Sequence, residues 1–261
     1  PFSFAASRMV LGGLTMFLAA ALTGQLTWPH RQDWPVVISV GLIQIAAFIA
    51  MVTYALQFVP AGRSSILAYT TPLWVLPISM LLLKESVGKW KMAGFLLGLA
   101  GVLVMFNPTS FNWHDPNVVL GNGILMLAAM LWAVLITQIR GHRWHGTPLS
   151  LAPWQFAVAT LALLPVAFYL EGDQPIKWST ELWAVILYNG PIATGFCTWA
   201  IVTVTRALPA LTTSLGTLGV PVTGVIASAF VLNEPITGLL LIVGGLGVLA
   251  ISERLNSSKT G

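Results

Sequence analysis

Long apolar segments recur along this chain, and only short polar stretches separate them. Nine segments each hold about 20 mostly apolar residues, which is enough to cross roughly 30 Å of hydrocarbon. They are 2–23, 34–58, 62–83, 89–106, 120–139, 149–170, 181–206, 210–232 and 236–254. Charged residues make up only 8% of the chain and hydrophobic residues 56%, which is more apolar surface than a soluble fold of this length can bury. Because lipid offers no partner to backbone polar groups, the sequence predicts an all-α polytopic membrane protein.

The Lys and Arg residues are distributed unevenly between the two predicted sides of the membrane. Three of them, Arg8, Arg63 and Lys177, fall on one side, and nine fall on the other. Cytoplasmic loops are enriched in Lys and Arg, so the side with nine is predicted to be cytoplasmic and to hold the C-terminus, in a bacterial-type inner membrane. No basic run occurs, so a nucleic-acid partner is not expected. The nine residues are Arg31, Lys84, Lys89, Lys91, Arg140, Arg143, Arg206, Arg254 and Lys259.

Nine residues, among them Pro, Gly, Trp and Glu, recur later in the chain at a fixed offset of 149 positions. The pairs are Trp34 and Trp183, Gly41 and Gly190, Pro60 and Pro209, Ala61 and Ala210, Ser65 and Ser214, Pro72 and Pro221, Ser79 and Ser228, Glu85 and Glu234, and Gly98 and Gly247. Just upstream, residues 1–5 match residues 148–152 at an offset of 147. The sequence therefore predicts an internal repeat.

The second repeat contains five apolar segments and the first only four. A further helix is therefore expected before residue 1, which would give five helices in each repeat. An odd number of helices inverts the second repeat relative to the first, an architecture typical of secondary transporters that work by alternating access. The predicted domains are a first repeat over 1–106, lacking its first helix, and a second repeat over 117–254.

The repeated residues also carry a family resemblance. Pro60-Ala61 through Pro72 to Leu83-Lys84-Glu85 has its counterpart in Pro209-Ala210 through Pro221 to Asn233-Glu234-Pro235, and a Gly-rich segment follows each Glu. This pattern resembles the EamA-type, ten-helix branch of the drug/metabolite transporter superfamily, along the whole chain. The resemblance implies a basket of helices around a central cavity. It also implies export of amino acids, aromatic ones included, from the cytoplasm.

The chain lacks the residue sets that enzyme active sites and metal centres need. All eight acids lie at segment ends or in loops, so no carboxylate for proton coupling is placed at mid-membrane. His30, His114, His142 and His145 lie in loops, and no third metal ligand is evident near the last two. No nucleophile elbow or phosphate-binding loop is present. We therefore expect no enzymatic activity, no cofactor and no metal.

Polar and aromatic residues in the middle of the apolar segments are the candidate substrate contacts. An amide is costly in hydrocarbon without a partner, so Gln44, Gln155 and Asn189 are expected to face protein or water. Hydrogen bonding between helices and lining of a cavity both remain open for each of them. Aromatic faces either pack or hold an ammonium group by a cation–π contact. The predicted cavity lining is Gln44, Phe48, Tyr69, Trp74, Trp132, Gln155, Asn189 and Trp199.

Two further predictions concern a pair of prolines and one arginine. Pro72 and Pro221 lie inside apolar segments, where proline kinks a helix, and they either act as hinges or shape a static cavity. Arg8 lies near the outer end of its segment, where snorkelling to the interface is expected and contact with a substrate carboxylate is a second interpretation.

Together these features predict an amino acid exporter that moves its substrate through a central cavity by alternating access. The alternatives are a multidrug or other small-metabolite transporter of the same superfamily and, with less support, a structural membrane protein without transport activity. A nucleotide-sugar carrier would need Lys or Arg near mid-segment for the phosphates, and the sequence shows none there. The expected partners are a small-molecule substrate and the lipid bilayer, while the oligomeric state is left open.

Overall fold

The chain folds into α-helices in a computed structural model. The structure describes residues 2–59, 67, 70–84, 88–89, 92–93, 95–97, 100, 114–172, 179–217 and 219–220. The helices in these residues are α1 (Phe2–Leu22), α2 (Trp34–Ala55), α3 (Thr71–Leu83), α4 (Pro116–Gly141), α5 (Pro148–Glu171), α6 (Thr180–Ala207) and α7 (Ala210–Gly216). No strand occurs in these stretches.

Five of these helices are long and apolar enough to cross a membrane: α1, α2, α4, α5 and α6. They correspond to the predicted segments 2–23, 34–58, 120–139, 149–170 and 181–206. Helix α3 covers the second half of segment 62–83, and α7 covers the start of segment 210–232. Segment 236–254 and most of segment 89–106 lie outside the described residues. The prediction of an all-helical membrane protein is confirmed for the helices that the structure describes.

The first of two compact units comprises Pro1–Tyr54 and Gln138–Ala207, and it contains α1, α2, α5 and α6. Helix α1 packs against both α5 and α6, and α5 also packs against α2. Glycine permits these close approaches, because a Cβ atom on Gly190 would lie 2.5 Å from Leu11 Cβ, and one on Gly41 would lie 2.6 Å from the carbonyl oxygen of Gln155. Small residues at helix contacts are a common feature of packing within membranes.

In the first unit, α2 and α6 change from α to π geometry in their middle, and in the second unit α3 ends in a π segment, Ser79–Leu83. The π segment of α2 is Val40–Ala47 and that of α6 is Asn189–Phe196. The two segments are 149 positions apart, the same offset that relates the repeated sequence residues. Gly41 and Gly190 are the second residues of the two segments. The internal repeat is still an interpretation of the sequence, and this coincidence of backbone geometry supports it.

The second compact unit comprises Ala55–Thr137 and Leu208–Gly261, and its described part centres on a small apolar cluster. Val75, Ala133, Ile136 and Ala210 form this cluster and are buried, so α3, α4 and α7 meet there. Each compact unit thus draws helices from both halves of the sequence. The predicted repeat domains 1–106 and 117–254 describe sequence similarity, and they stay a prediction.

Candidate functional site

Two buried amides in the first unit have atoms without a hydrogen-bond partner. Gln44 lies in the π segment of α2 and is 5% exposed, and Gln155 lies in the first third of α5 and is 1% exposed. The acceptor Oε1 of Gln44 and the donor Nε2 of Gln155 are both buried and unpartnered. Gly41, one turn before Gln44, lies against the backbone of Gln155, so α2 and α5 are in contact here. Buried polar groups normally have a protein or water partner, so one acceptor and one donor here are available to a buried water or to a small polar ligand.

The other candidate residues of the first unit have partners of their own. Asn189 is partly exposed and donates from Nδ2 to the carbonyl oxygen of Val185, 2.9 Å away in its own helix. Trp199 is half-buried, and its ring centroid lies 5.6 Å from that of Phe196. Phe48 is half-buried at the end of the π segment of α2. The aromatic pair on α6 provides an apolar surface, whereas the amide nitrogen of Asn189 already has an acceptor.

The described candidate residues of the second unit, Trp74 and Trp132, are both aromatic. Trp74 on α3 and Trp132 on α4 both pack against the cluster around Val75 and Ala133. The Nε1 donor of Trp74 is buried and has no partner, so it is a further unused donor. Tyr69 and Pro221 lie outside the described residues.

Pro72 lies in the first turn of α3, which begins at Thr71. Proline is tolerated at this position because the backbone N–H there has no intrahelical acceptor. The predicted role of Pro72 as a hinge or kink stays a prediction.

A buried acid organises one end of the first unit. Asp33 is 0% exposed, although it immediately precedes α2 in a loop. Its Oδ1 accepts from the backbone N–H of His145 at 3.1 Å, and its Oδ2 accepts from that of Gly146 at 2.8 Å. The Nε2 of His142 lies 3.1 Å from the same Oδ1. Asp33 therefore fixes the loop between α4 and α5.

These contacts set the protonation state of the Asp33 carboxyl. Burial alone would raise its pKa, but the hydrogen bonds from His145, Gly146 and His142 favour the charged form and hold the pKa below its usual value. The imidazole of His145 stacks on that of His30, with ring centroids 4.6 Å apart. Asp33 and the loop of His142, His145 and Gly146 thus form a junction between α2, α4 and α5. Arg206 also contacts this junction, because it donates to the carbonyl oxygen of Gly146 at 3.2 Å.

The same junction shows where sequence analysis missed a structural element. His142 and His145 lie in a loop as expected, but Asp33 was interpreted only as a loop acid at a segment end. No group of His, Cys, Asp and Glu suited to a metal ion occurs in the part of the chain that the structure describes. The sequence Asp33-Trp34-Pro35 indicates a helix start. The side chain of Asp33 makes no hydrogen bond to the first turn of α2, so its contacts with the loop between α4 and α5 have no local sequence signal.

Arg8 makes a contact that the snorkelling interpretation does not predict. Its Nε donates to Oγ1 of Thr194 on α6 at 3.0 Å, and its guanidinium carbon lies 5.7 Å from the ring centroid of Phe4. Thr194 is 2% exposed, and Arg8 itself is half-buried. The side chain of Arg8 thus extends from α1 to the neighbouring helix α6.

Comparison with known proteins agrees with this arrangement of apolar helices. The profile of the EamA-like transporter family matches residues 1–107 and 119–252. The uncharacterized transporter YoaV of Bacillus subtilis is 26% identical, over 94% of this chain and 86% of that protein. The aromatic amino acid exporter YddG of Ancylobacter novellus is 28% identical, over 77% of this chain and 69% of that protein.

A solved crystal structure has a similar fold, with a TM-score of 0.74 and 27% identity, and the match covers 98% of this chain and 89% of that chain. The family profile extends over nearly the whole sequence, and the apolar helices have the length that such proteins need. The chain belongs to the EamA-like transporter family, within the drug/metabolite transporter superfamily, and is a multi-pass membrane protein.

Proposed function

We propose that this transporter exports neutral amino acids, aromatic ones among them. The observation that carries the proposal is the unpartnered acceptor of Gln44 and the unpartnered donor of Gln155, buried in two spanning helices that are in contact. A zwitterionic amino acid presents an ammonium donor and a carboxylate acceptor, which complement those two atoms. The similarity to a protein named as an aromatic amino acid exporter supports the same substrate class.

Uncharged groups suit the binding and release of such a substrate. A neutral amide can exchange a hydrogen bond with a substrate for one with water at little net cost. Phe196, the last residue of the π segment of α6, and Trp199, three residues later, offer an aromatic surface. A ring face there attracts an ammonium group and also packs against an apolar side chain.

The proposed transport is facilitative and directed by the substrate gradient. The described acids, Asp33, Asp115, Glu171 and Glu181, lie in loops or in the terminal turns of helices. Proton relays in membranes usually depend on ionisable groups within the spans, and these four do not occupy such a position. We place the protein in the inner membrane with its C-terminus in the cytoplasm, on the basis of the uneven Lys and Arg distribution.

Counterflow in proteoliposomes tests the proposal. Vesicles loaded with unlabelled Phe would be given labelled Phe, Trp, Met or Thr outside, with and without a pH gradient. The expected result is saturable exchange of at least one of the four, at a rate that the gradient leaves unchanged. Exchange that requires the gradient would refute facilitated transport. No saturable exchange of any of the four would refute the amino acid assignment and favour a multidrug substrate range.

A further inference from the structure

The guanidinium group of Arg8 lies at the level of the middle of a neighbouring spanning helix. Thr194, which accepts its Nε–H at 3.0 Å, is 14 residues from the start of α6 and 13 from its end, since that helix runs from Thr180 to Ala207. At about 1.5 Å per residue, Thr194 is roughly 20 Å along α6 from either end. A snorkelling arginine extends toward the headgroups, whereas Arg8 is held against the central turn of α6.

The local packing fixes this position. Four residues after Arg8 along α1, Gly12 lies so close to α6 that a Cβ atom on it would be 3.1 Å from the carbonyl oxygen of Gly190 and 3.2 Å from the backbone nitrogen of Gly195. Thr194 is therefore part of a tight contact between α1 and α6, and it is 2% exposed. The guanidinium carbon also lies over the ring of Phe4, 5.7 Å from its centroid. The cation is thus oriented by a hydroxyl and an aromatic ring.

This cation retains unused hydrogen-bonding capacity. A guanidinium has five N–H donors, and within the described residues the structure pairs only the Nε–H. Glu171, at the end of α5 beside the start of α1, accepts instead from the backbone N–H groups of Phe2 and Ser3 at 2.8 Å each. Partial burial of a positive charge without a counter-charge is unfavourable, and the free edge of the guanidinium matches a carboxylate in a two-point contact.

We propose that Arg8, oriented by Thr194, binds the carboxylate group of the transported molecule. This inference deepens the proposed amino acid export and rests on it. It restricts the substrate class to small molecules that carry a carboxylate, and it excludes amines and amides of the same shape.

The internal repeat adds a second argument for this position. Arg8 and Gln155 are 147 residues apart, the offset that aligns residues 1–5 with 148–152. On the repeat interpretation they occupy equivalent positions on α1 and α5, and each helix packs against a helix that contains a π segment. At this pair of equivalent positions, the first repeat then supplies a cationic group and the second repeat a neutral polar group.

The first experiment compares ligands on the unmodified protein. Exchange of labelled Phe in proteoliposomes would be competed with unlabelled Phe, with phenylalaninamide and with 2-phenylethylamine, which share the ring and the amine. The expected result is that phenylalaninamide and 2-phenylethylamine compete at least about 10-fold more weakly than Phe, as loss of a charged hydrogen-bonded contact predicts. Equal competition by all three would overturn the inference while leaving transport of amino acids established.

Variants then assign the preference to Arg8. Arg8→Gln is expected to raise KM for Phe about 10- to 100-fold and to remove the discrimination between Phe and phenylalaninamide. Arg8→Lys keeps the charge but not the planar two-point geometry, and should retain part of the discrimination. Thr194→Val leaves the guanidinium in place without its orienting acceptor, and should give a smaller rise in KM.

Arg143→Gln is the matched control, because it removes one positive charge from an exposed loop position. It is expected to keep the KM and the acid-over-amide preference of the original chain. Unchanged KM and preference in Arg8→Gln would overturn the inference. If Arg8→Gln does not give folded protein in size-exclusion chromatography, the Lys and Val variants decide: full discrimination in both would also overturn it. Absence of any saturable exchange by the unmodified protein would instead refute the proposed function, and the inference with it.

Discussion

Replacing Asp33 by Asn tests whether the buried carboxylate holds the junction of the first unit together. The side chain is 0% exposed and accepts from two backbone N–H groups, at 3.1 and 2.8 Å. Asn has nearly the same shape, but its NH₂ group must replace either Oδ1 or Oδ2. Whichever oxygen is lost, a donor then faces the backbone N–H of His145 or Gly146, and the remaining hydrogen bonds lose the help of the charge.

The size of the effect follows from these contacts. A hydrogen bond to a charged group contributes about 1.5–3 kcal/mol, and an unsatisfied buried donor costs about 1–3 kcal/mol. Because the contacts share one carboxylate, these values do not add, and we expect Asp33→Asn to lower the free energy of unfolding by about 2–4 kcal/mol. Thermal unfolding of detergent-purified protein would show this as a fall in Tm of roughly 5–10 °C.

The pH dependence of stability provides a second readout. The pKa of Asp33 is lowered in the folded protein, so its stabilisation is present above the unfolded pKa of about 3.9 and is lost as the pH falls through the folded pKa. The difference in Tm between the original chain and Asp33→Asn should therefore shrink below about pH 4.

Asp115→Asn serves as the matched control for Asp33→Asn, because Asp115 also precedes a helix but accepts only a local, exposed bond from Asn117. Its Tm should change by less than a third as much. A fall in Tm of under about 2 °C for Asp33→Asn, or an equal fall for both variants, would show that the carboxylate is not the anchor of the loop.

Two other predictions concern packing and the buried amides. Gly190→Ala should lower the free energy of unfolding by about 1–3 kcal/mol, because its Cβ would lie 2.5 Å from Leu11 Cβ. The control is Gly123→Ala, where no atom lies within 4 Å of the added Cβ, and it should leave Tm unchanged or raise it. Similar losses of stability in both variants would refute the packing argument. Gln155→Leu should leave Tm unchanged or raise it, because it removes an unpartnered buried donor, yet it should reduce Phe exchange at least about 10-fold if that donor binds substrate. Normal exchange by Gln155→Leu would exclude Gln155 from the substrate site.

The spanning helices were predictable from sequence because hydrocarbon requires long apolar segments. The ends of these helices were less predictable, because hydropathy marks only the apolar part of a helix and not its full hydrogen-bonded length. Helix α4 runs from Pro116 to Gly141, beyond the predicted 120–139, because polar residues at the interface continue the same hydrogen bonds. Helix α2 stops at Ala55, before the predicted end at 58, because a turn follows within the apolar sequence.

The details of the candidate site depend on contacts between distant parts of the chain. The sequence indicated that Gln44 and Gln155 need a protein or water environment, and both amides are buried. It did not indicate that Asn189 would bond to its own helix. The contacts of Asp33 with His145 and of Arg8 with Thr194 join residues more than a hundred positions apart. No local pattern encodes such pairs, because they depend on how the helices pack.

The matching π segments of α2 and α6 bear on the history of the chain. A π turn is usually explained as one residue inserted into an α-helix, so each π segment requires an insertion of its own. Val40–Ala47 and Asn189–Phe196 occupy the same 149-residue offset as the repeated Trp, Pro and Glu residues. If the two halves descend from one ancestral sequence, a single insertion before that sequence was duplicated explains both segments, whereas a later origin requires the same insertion twice. The wider turn would then be older than the two-repeat protein, already present in an ancestor half its size.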